Sequence, residues 1–381
     1  MIESILVYSG TAFLLYLLAK SAANRESVCG GKISFGCPEF ILSICLFGFI
    51  TGARYGVGVD YPTYLDVYQR IQNNLSITRD TFEPGFVFVT KLFASHGVHY
   101  FFYFALWGIL QFFFIYYALK DRKFLLPYVA LCIMLNSAFF LNWMNGIRQC
   151  LAICAFVFLI KFIVERKLSK YIVGVLLLTL IHRSAILLLP FYFLPYNKII
   201  LNKKYLNVSI LLCCVFIGIV PSWLHAMTNF SDLLGAIGYA DYADQMSLMV
   251  SENLRETAWG PSRTSSFLVG CAIIWFYPDM VKFYKGDRYL PIYFFLFFIG
   301  MCLYNAFINT SHIFLRPIEY FTIFKLPLIA YLLYYLKQNG NNIAFLLISV
   351  LTFSQIFIEV YKAVAQPVEA SKYCLYKFFF Q

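Results

Sequence analysis

The feature that most constrains this chain is a succession of apolar segments, each about as long as a bilayer is thick, joined by short polar links. A helix pairs its own backbone N–H and C=O groups and therefore survives in hydrocarbon, where no water is at hand to pair them. About 20 apolar residues cover the thickness, with a range of about 17–25. Candidate spans fall at 4–22, 38–53, 98–119, 124–142, 145–164, 169–182, 184–196, 206–226, 265–281, 289–308, 317–336 and 343–361. The stretch 83–96 is too short and interrupted to cross, and reads as a re-entrant or interfacial helix. The expectation is an all-α polytopic integral membrane protein of about 12 transmembrane helices, some short or broken. Two longer external loops, 54–82 and 227–264, project from a single membrane-embedded domain over residues 1–381.

Composition agrees. Apolar residues make up 61% and charged residues 13%, against about 25% charged in soluble domains. Mean hydropathy is +0.72. The net charge of +11 is spread singly over the links, with no basic block on a soluble domain, so it reads as membrane topology and not nucleic-acid binding. The 42 Phe and 29 Tyr suit interfacial belts and core packing, with sugar stacking as a further use. Most cysteines lie in or beside apolar stretches at spacings that match neither a metal site nor a disulfide framework, so no metal and no cofactor are expected. The first apolar segment lacks a basic leader and a cleavage site and reads as a retained span.

Charge then orients the chain. One set of links holds Lys20, Arg25 and Lys32; Lys120, Arg122 and Lys123; Arg166, Lys167 and Lys170; Lys198, Lys203 and Lys204; Lys282, Lys285 and Arg288; and Lys337. By the positive-inside rule this face is cytoplasmic, and both termini lie outside. The opposite face is unusual in holding arginine: Arg54, Arg70, Arg79, Arg148, Arg255, Arg263 and Arg316, with Arg183 close by. Guanidinium offers a planar fork of donors, which suits a phosphate or pyrophosphate.

Five constellations stand out on that face. Arg54 to Tyr64, with Asp60, Tyr61 and two glycines, leaves the second span as a tight turn and reads either as a cationic clamp beside a carboxylate or as a loop tied by a salt bridge. Glu83-Pro84-Gly85 marks a helix start, where a carboxylate favours the N-terminal dipole. Asn145, Arg148 and Gln149 form a turn between apolar spans, and an arginine at that depth is costly unless it meets an anion or a wet cavity. His182 and Arg183 break an apolar stretch between two short spans, as at the tip of a hairpin that does not fully cross. His182 is the best candidate for a group titrating near neutral pH. Arg316 and Glu319, beside Tyr320, are three residues apart and can share a helix face.

Taken in order, Arg54, Gly58, Asp60, Tyr61 and Tyr64, then Glu83-Pro84-Gly85, Asn145, Arg148-Gln149, His182 with Ser184, and Arg316 with Tyr320 resemble the EpsG-like family of bacterial polysaccharide polymerases, related in role to Wzy O-antigen polymerases. The resemblance covers roughly residues 50 to 336. It departs at Val59, where the family often has Thr, and in the tail, where Gln366-Pro367 and Lys372-Tyr373 do not cleanly reproduce a Pro-Tyr element. It implies a multi-pass protein of the bacterial inner membrane with its active site facing the periplasm. The implied reaction joins oligosaccharide repeat units carried on undecaprenyl pyrophosphate, with a chain-length regulator as a possible partner besides membrane lipid.

On that reading Arg148 and Arg316 meet the leaving pyrophosphate, and Arg54 holds the acceptor's. Asp60 or His182 serves as base, and Glu83 and Glu319 orient arginines. Tyr61, Tyr64, Asn145, Gln149, Arg183 and Tyr320 complete the substrate-binding set. A flippase using the same arginines and an O-antigen ligase are the rivals.

Overall fold

The computed structural model describes residues 1–29, 37–77, 82–194, 201–219, 259–309, 312–365 and 373–381. Among them every regular element is helical, and the only β feature is an isolated antiparallel bridge between Arg54 and Phe378. Most of the 227–264 loop, with Arg255, lies outside the described residues, as do Arg79, Gln366, Pro367 and Lys372.

Among the described residues six helices are long and apolar enough to cross a bilayer: Ile2–Arg25, Tyr100–Ala118, Ile147–Val164, Pro261–Phe283, Leu290–Phe307 and Asn342–Ala365. These match six of the twelve expected spans. The other apolar helices among the described residues are shorter, Pro38–Ala53 and Lys204–Ile219 being the longest of them. Local chemistry explains where runs are cut. The apolar run 124–142 breaks at buried Asn136, whose Oδ1 accepts from the N–H of Ala138 at 3.1 Å and turns the chain out of the helix. Residues Arg183–Phe193 wind as a 3-10 helix containing Pro190, which has no N–H to give a regular ladder. The run 317–336 is divided at Ile323 and Phe324.

The described residues fall into two compact units. The first comprises 1–196 and 326–381. Here α1 (Ile2–Cys29), α2 (Pro38–Ala53), α5 (Tyr100–Ala118), α6 (Leu126–Leu135) and α8 (Ile147–Val164) pack around a dense aromatic core. Gly48 and Gly52 share one face of α2, and a Cβ on Gly52 would sit 2.6 Å from the Phe101 carbonyl oxygen. Small residues four apart let two apolar helices approach until their backbones touch, which is how helices associate without water to drive them together. That approach fixes the end of α2, where Arg54 begins the turn that follows.

Around that turn the first unit gathers four segments. Tyr376 donates its N–H to Ser4 Oγ at 3.0 Å and its hydroxyl to the Ile50 carbonyl at 2.6 Å. Tyr55 N–H donates to the Lys377 carbonyl at 2.8 Å, and Phe379 N–H to that of Ala53 at 2.9 Å. Asp60 N–H donates to Asn145 Oδ1 at 2.9 Å. The N-terminus, the tail, the Arg54 turn and the Asn145 turn therefore meet at one end. At the other ends of α1 and α2, Arg25 pairs with Glu39 at 2.7 Å.

The second unit, 197–325, contains α10 (Lys204–Ile219), α11 (Pro261–Phe283), α12 (Leu290–Phe307) and α13 (His312–Thr322). Glycines again set the approach: Gly300 of α12 lies where a Cβ would be 2.7 Å from Phe321. Tyr277 and Phe294 stack face to face, and Lys325 Nζ donates to the carbonyl and hydroxyl oxygens of Ser266 at 2.6 Å each.

Candidate functional site

The residues after Arg54, expected as loop, fold into α3 (Tyr61–Gln72), begun by Pro62 in its first turn. Its apolar face repeats at helical spacing, so Tyr61, Tyr64, Val67, Tyr68 and Ile71 turn inward while Asp66 and Gln69 face out. Arg70 pairs with Asp66 at 3.1 Å on the exposed face, an ordinary one-turn ion pair. Beneath α3, Glu83 immediately precedes α4 (Pro84–Ala94). Gly85 donates its N–H to the Leu180 carbonyl at 2.8 Å, and a Cβ there would come within 2.7 Å of that oxygen. Only glycine allows the start of α4 to lie against the end of α9 (Leu168–Thr179). That end and the following 3-10 helix form the expected hairpin, tied across by Tyr171 donating to the Leu188 carbonyl at 2.6 Å.

Glu83 does not cap its own helix, because its side chain makes no hydrogen bond to the helix's first amides. Instead its carboxylate, 5% exposed, gathers three partners. One oxygen pairs tightly with Arg148 Nη1. The other accepts the N–H of Arg183 at 3.1 Å and lies 3.2 Å from His182 Nδ1. The His182 contact is at ion-pair distance without the alignment of a full hydrogen bond. Burial on its own raises the Glu83 pKa, but the His182 contact, the Arg148 charge and the Arg183 amide outweigh it and hold it down to about 2.

Arg148 stands at the first turn of α8, 20% exposed. Its guanidinium carbon lies 4.8 Å from the Phe82 ring centre, 5.1 Å from that of Phe86 and 6.0 Å from that of Tyr64, a cation-π enclosure. Tyr64 is buried, which pushes its hydroxyl up to about 12 despite the Arg148 charge pulling it down. Gln149, on the same turn, is buried. The Arg183 side chain is exposed, and its backbone does the local work.

Arg54 is placed differently. It is 1% exposed, and its Nη1 donates to the Val57 carbonyl at 2.8 Å and to the Met144 carbonyl. Its guanidinium carbon lies 5.3 Å from the Tyr61 ring centre and 5.1 Å from that of Phe104, with Tyr61 stacked on Phe104. Burial lowers its pKa to about 10, nearby tyrosines opposing this, so it is a cation at neutral pH. Gly58, at φ +105°, brings the same turn against Met144, whose carbonyl oxygen would be 2.8 Å from a Cβ. Asp60 is half-buried at the start of α3.

Glu83, Arg148, His182, Arg183 and Tyr64 thus come together. Arg54, Tyr61, Asp60 and Asn145 form the adjoining turn. Arg316, Glu319 and Tyr320 lie on α13 of the second unit, with Arg316 exposed and Tyr320 buried. The sequence assigns no role to the rings of Phe82 and Phe86, which flank Glu83-Pro84-Gly85 and enclose Arg148, and none to the tail that straps the Arg54 turn. Among the described residues no three His, Cys, Asp or Glu side chains gather as a metal site.

The fold and this cluster define a polytopic helical membrane protein with an arginine–carboxylate–imidazole group at one end of a bundle. A family model described as the EpsG family matches residues 40–378, and the chain belongs to that family. No curated protein and no solved structure matches it. Membership makes it a membrane protein of polysaccharide biosynthesis, and the matched stretch takes in the tail as far as Phe378.

Proposed function

We propose that this protein is a glycosyltransferase that joins oligosaccharide repeat units carried on undecaprenyl pyrophosphate, at the periplasmic face of a bacterial inner membrane. The observation that carries the reading is the Glu83–Arg148–His182 cluster, a half-open cation beside a group able to move a proton. Breaking a bond between an anomeric carbon and pyrophosphate builds negative charge on the leaving group, and a preorganised guanidinium stabilises it. Arg148 takes that role. Asp60 or His182 receives the proton of the attacking hydroxyl. Arg54 holds the turn carrying Asp60, with both carbonyls it grips belonging to backbone.

The test is the surface polysaccharide of cells lacking this gene, resolved by gel electrophoresis. Single repeat units transferred to their normal acceptor, with the ladder gone, are the expected result. Untransferred lipid-linked units exposed outside the membrane would replace the polymerase reading with a ligase, and units trapped on the cytoplasmic side with a flippase. An unchanged ladder would remove all three.

A further inference from the structure

We infer that Glu83 and His182 work as one carboxylate–imidazole pair, in which His182 Nε2 takes the proton of the acceptor hydroxyl and Glu83 is the residue that positions the ring. The inference rests on the polymerase reading and decides between its two candidate bases.

Glu83 is fully engaged by its neighbours. Neither of its oxygens is free: one is on Arg148, the other is shared by the Arg183 amide and the His182 ring. A carboxylate so held is a weak base and a poor nucleophile, since taking a proton or a carbon means giving up those partners. Its pKa of about 2 says the same. What a permanently ionised carboxylate does well is fix an imidazole. The contact to Nδ1, at 3.2 Å, is an ion-pair distance without hydrogen-bond alignment, and through its charge the carboxylate favours the hydrogen on Nδ1, which leaves the lone pair on Nε2. The ring itself is 16% exposed, open enough to meet a hydroxyl and sheltered enough to keep its orientation.

The backbone makes the pair rigid. The Gly85 amide bonds the hairpin tip directly, so Glu83 and His182 are set by one contact between α4 and the end of α9. At Asp60 the pinned atom is the backbone N–H, and the residue stays half-exposed on the turn. The group facing the imidazole is Glu83 at the start of α4, which also holds Arg148 of α8 and the Arg183 amide, and Arg148 in turn lies against Tyr64 of α3.

In the transfer, the acceptor O–H bond breaks and its proton passes to Nε2. The oxygen's electron pair forms the new bond to the donor's anomeric carbon. The bond from that carbon to the pyrophosphate oxygen breaks, and its electron pair leaves with the pyrophosphate. Nε2 later gives its proton to water. Glu83 links the two ends of this step: as the ring becomes positive it draws the carboxylate more strongly, and Arg148 is freed toward the charge appearing on the leaving group.

The experiment uses membranes from cells lacking the chromosomal copy, which hold the host's own lipid-linked single units as the probe, with each full-length variant supplied on a plasmid. His182→Asn keeps a donor for Glu83 and has no basic nitrogen. It is expected to reach wild-type abundance and to lower kcat for ladder formation by about 10²–10³-fold at unchanged KM. Glu83→Gln, which keeps an acceptor and loses the charge, is expected to lower kcat by about 10²-fold with KM again unchanged. His182→Asn within about tenfold of wild type would overturn the pair. A Glu83→Gln effect confined to KM would reduce Glu83 to substrate binding and overturn its positioning role. Wild-type membranes that form no ladder would instead remove the polymerase reading on which the pair depends.

Discussion

Arg54 and Arg148 stand at the same end of one helical unit, each at the edge of an apolar helix, and have opposite surroundings. Arg54 is sealed, and its partners are neutral: two backbone carbonyls and two aromatic rings. Arg148 is half-open, and its partner is a carboxylate. The difference decides what each can do. A guanidinium on buried carbonyls cannot leave them without orphaning two acceptors, so it works as a fixed clamp between the 54–60 turn and the Met144–Asn145 turn. A guanidinium on a carboxylate that also serves His182 has an exchangeable partner, and another anion can take its place. Arginine in an external turn is therefore not by itself a ligand site. Its counterpart determines which kind it is.

The largest expected effect separates the two arginines by what they break. Arg148→Lys keeps the charge and loses the fork, and should lower kcat of ladder formation by about 10²–10³-fold with the folded protein at normal abundance. Arg54→Met keeps the bulk and strands the Val57 and Met144 carbonyls, and should cost about 2–3 kcal/mol of stability, read as a lower melting midpoint in detergent and less protein in membranes. Purified Arg54→Met that is fully stable but unable to form ladders would show that both arginines belong to the chemistry.

Acidity distinguishes the regions next. The Glu83 carboxyl has a folded pKa near 2, depressed from 4.5, so the unfolded chain takes up its proton first as pH falls. The stability it contributes is whole above about pH 4.5 and is lost as pH drops through about 2, which amounts to about 3 kcal/mol. The Arg54 clamp, made with neutral carbonyls and a group titrating near 10, has no such dependence in acid. Melting midpoints of the solubilised protein from pH 5 to pH 2 should fall more steeply for wild type than for Glu83→Gln. Parallel curves would mean that Glu83 is not held by its cation neighbours in solution.

Much of this was legible in the residues, for a physical reason. A polar side chain inside an apolar stretch has few ways to be satisfied, so Glu83, Arg148 and His182, each conspicuous alone, were bound to meet something. What the sequence does not carry is the pairing. Glu83 reaches Arg148 across 65 residues and the Arg183 amide across 100, and those distances are closed by glycine contacts such as Gly85 on Leu180 that no local pattern announces. Helix length was misjudged where one buried residue ends a run, as Asn136 does within 124–142. The resemblance gives Arg54 to an acceptor pyrophosphate, and no spacing in the sequence announces that its guanidinium is sealed on the Val57 and Met144 carbonyls. The tail had no periodicity to read, because its order comes from backbone bonds to the Arg54 turn.

That tail gives the smallest prediction and the one that most sharpens the contrast. Tyr376 is buried, donates to the Ile50 carbonyl at 2.6 Å and crosses the Tyr8 ring edge-on at 6.0 Å. Tyr376→Phe removes the hydroxyl and keeps the ring and the backbone bond to Ser4, so it should cost about 1 kcal/mol of stability. If the tail only braces the Arg54 turn, ladder formation by the purified variant stays at the wild-type kcat, because Asn145 still holds Asp60 and Glu83 still holds Arg148. A fall in kcat without loss of stability would show motion passing from the tail through Arg54 and Met144 to Arg148, four residues on. The sealed arginine and the open one would then be two ends of one device, and the boundary drawn between scaffold and site would have to move out to the C-terminus.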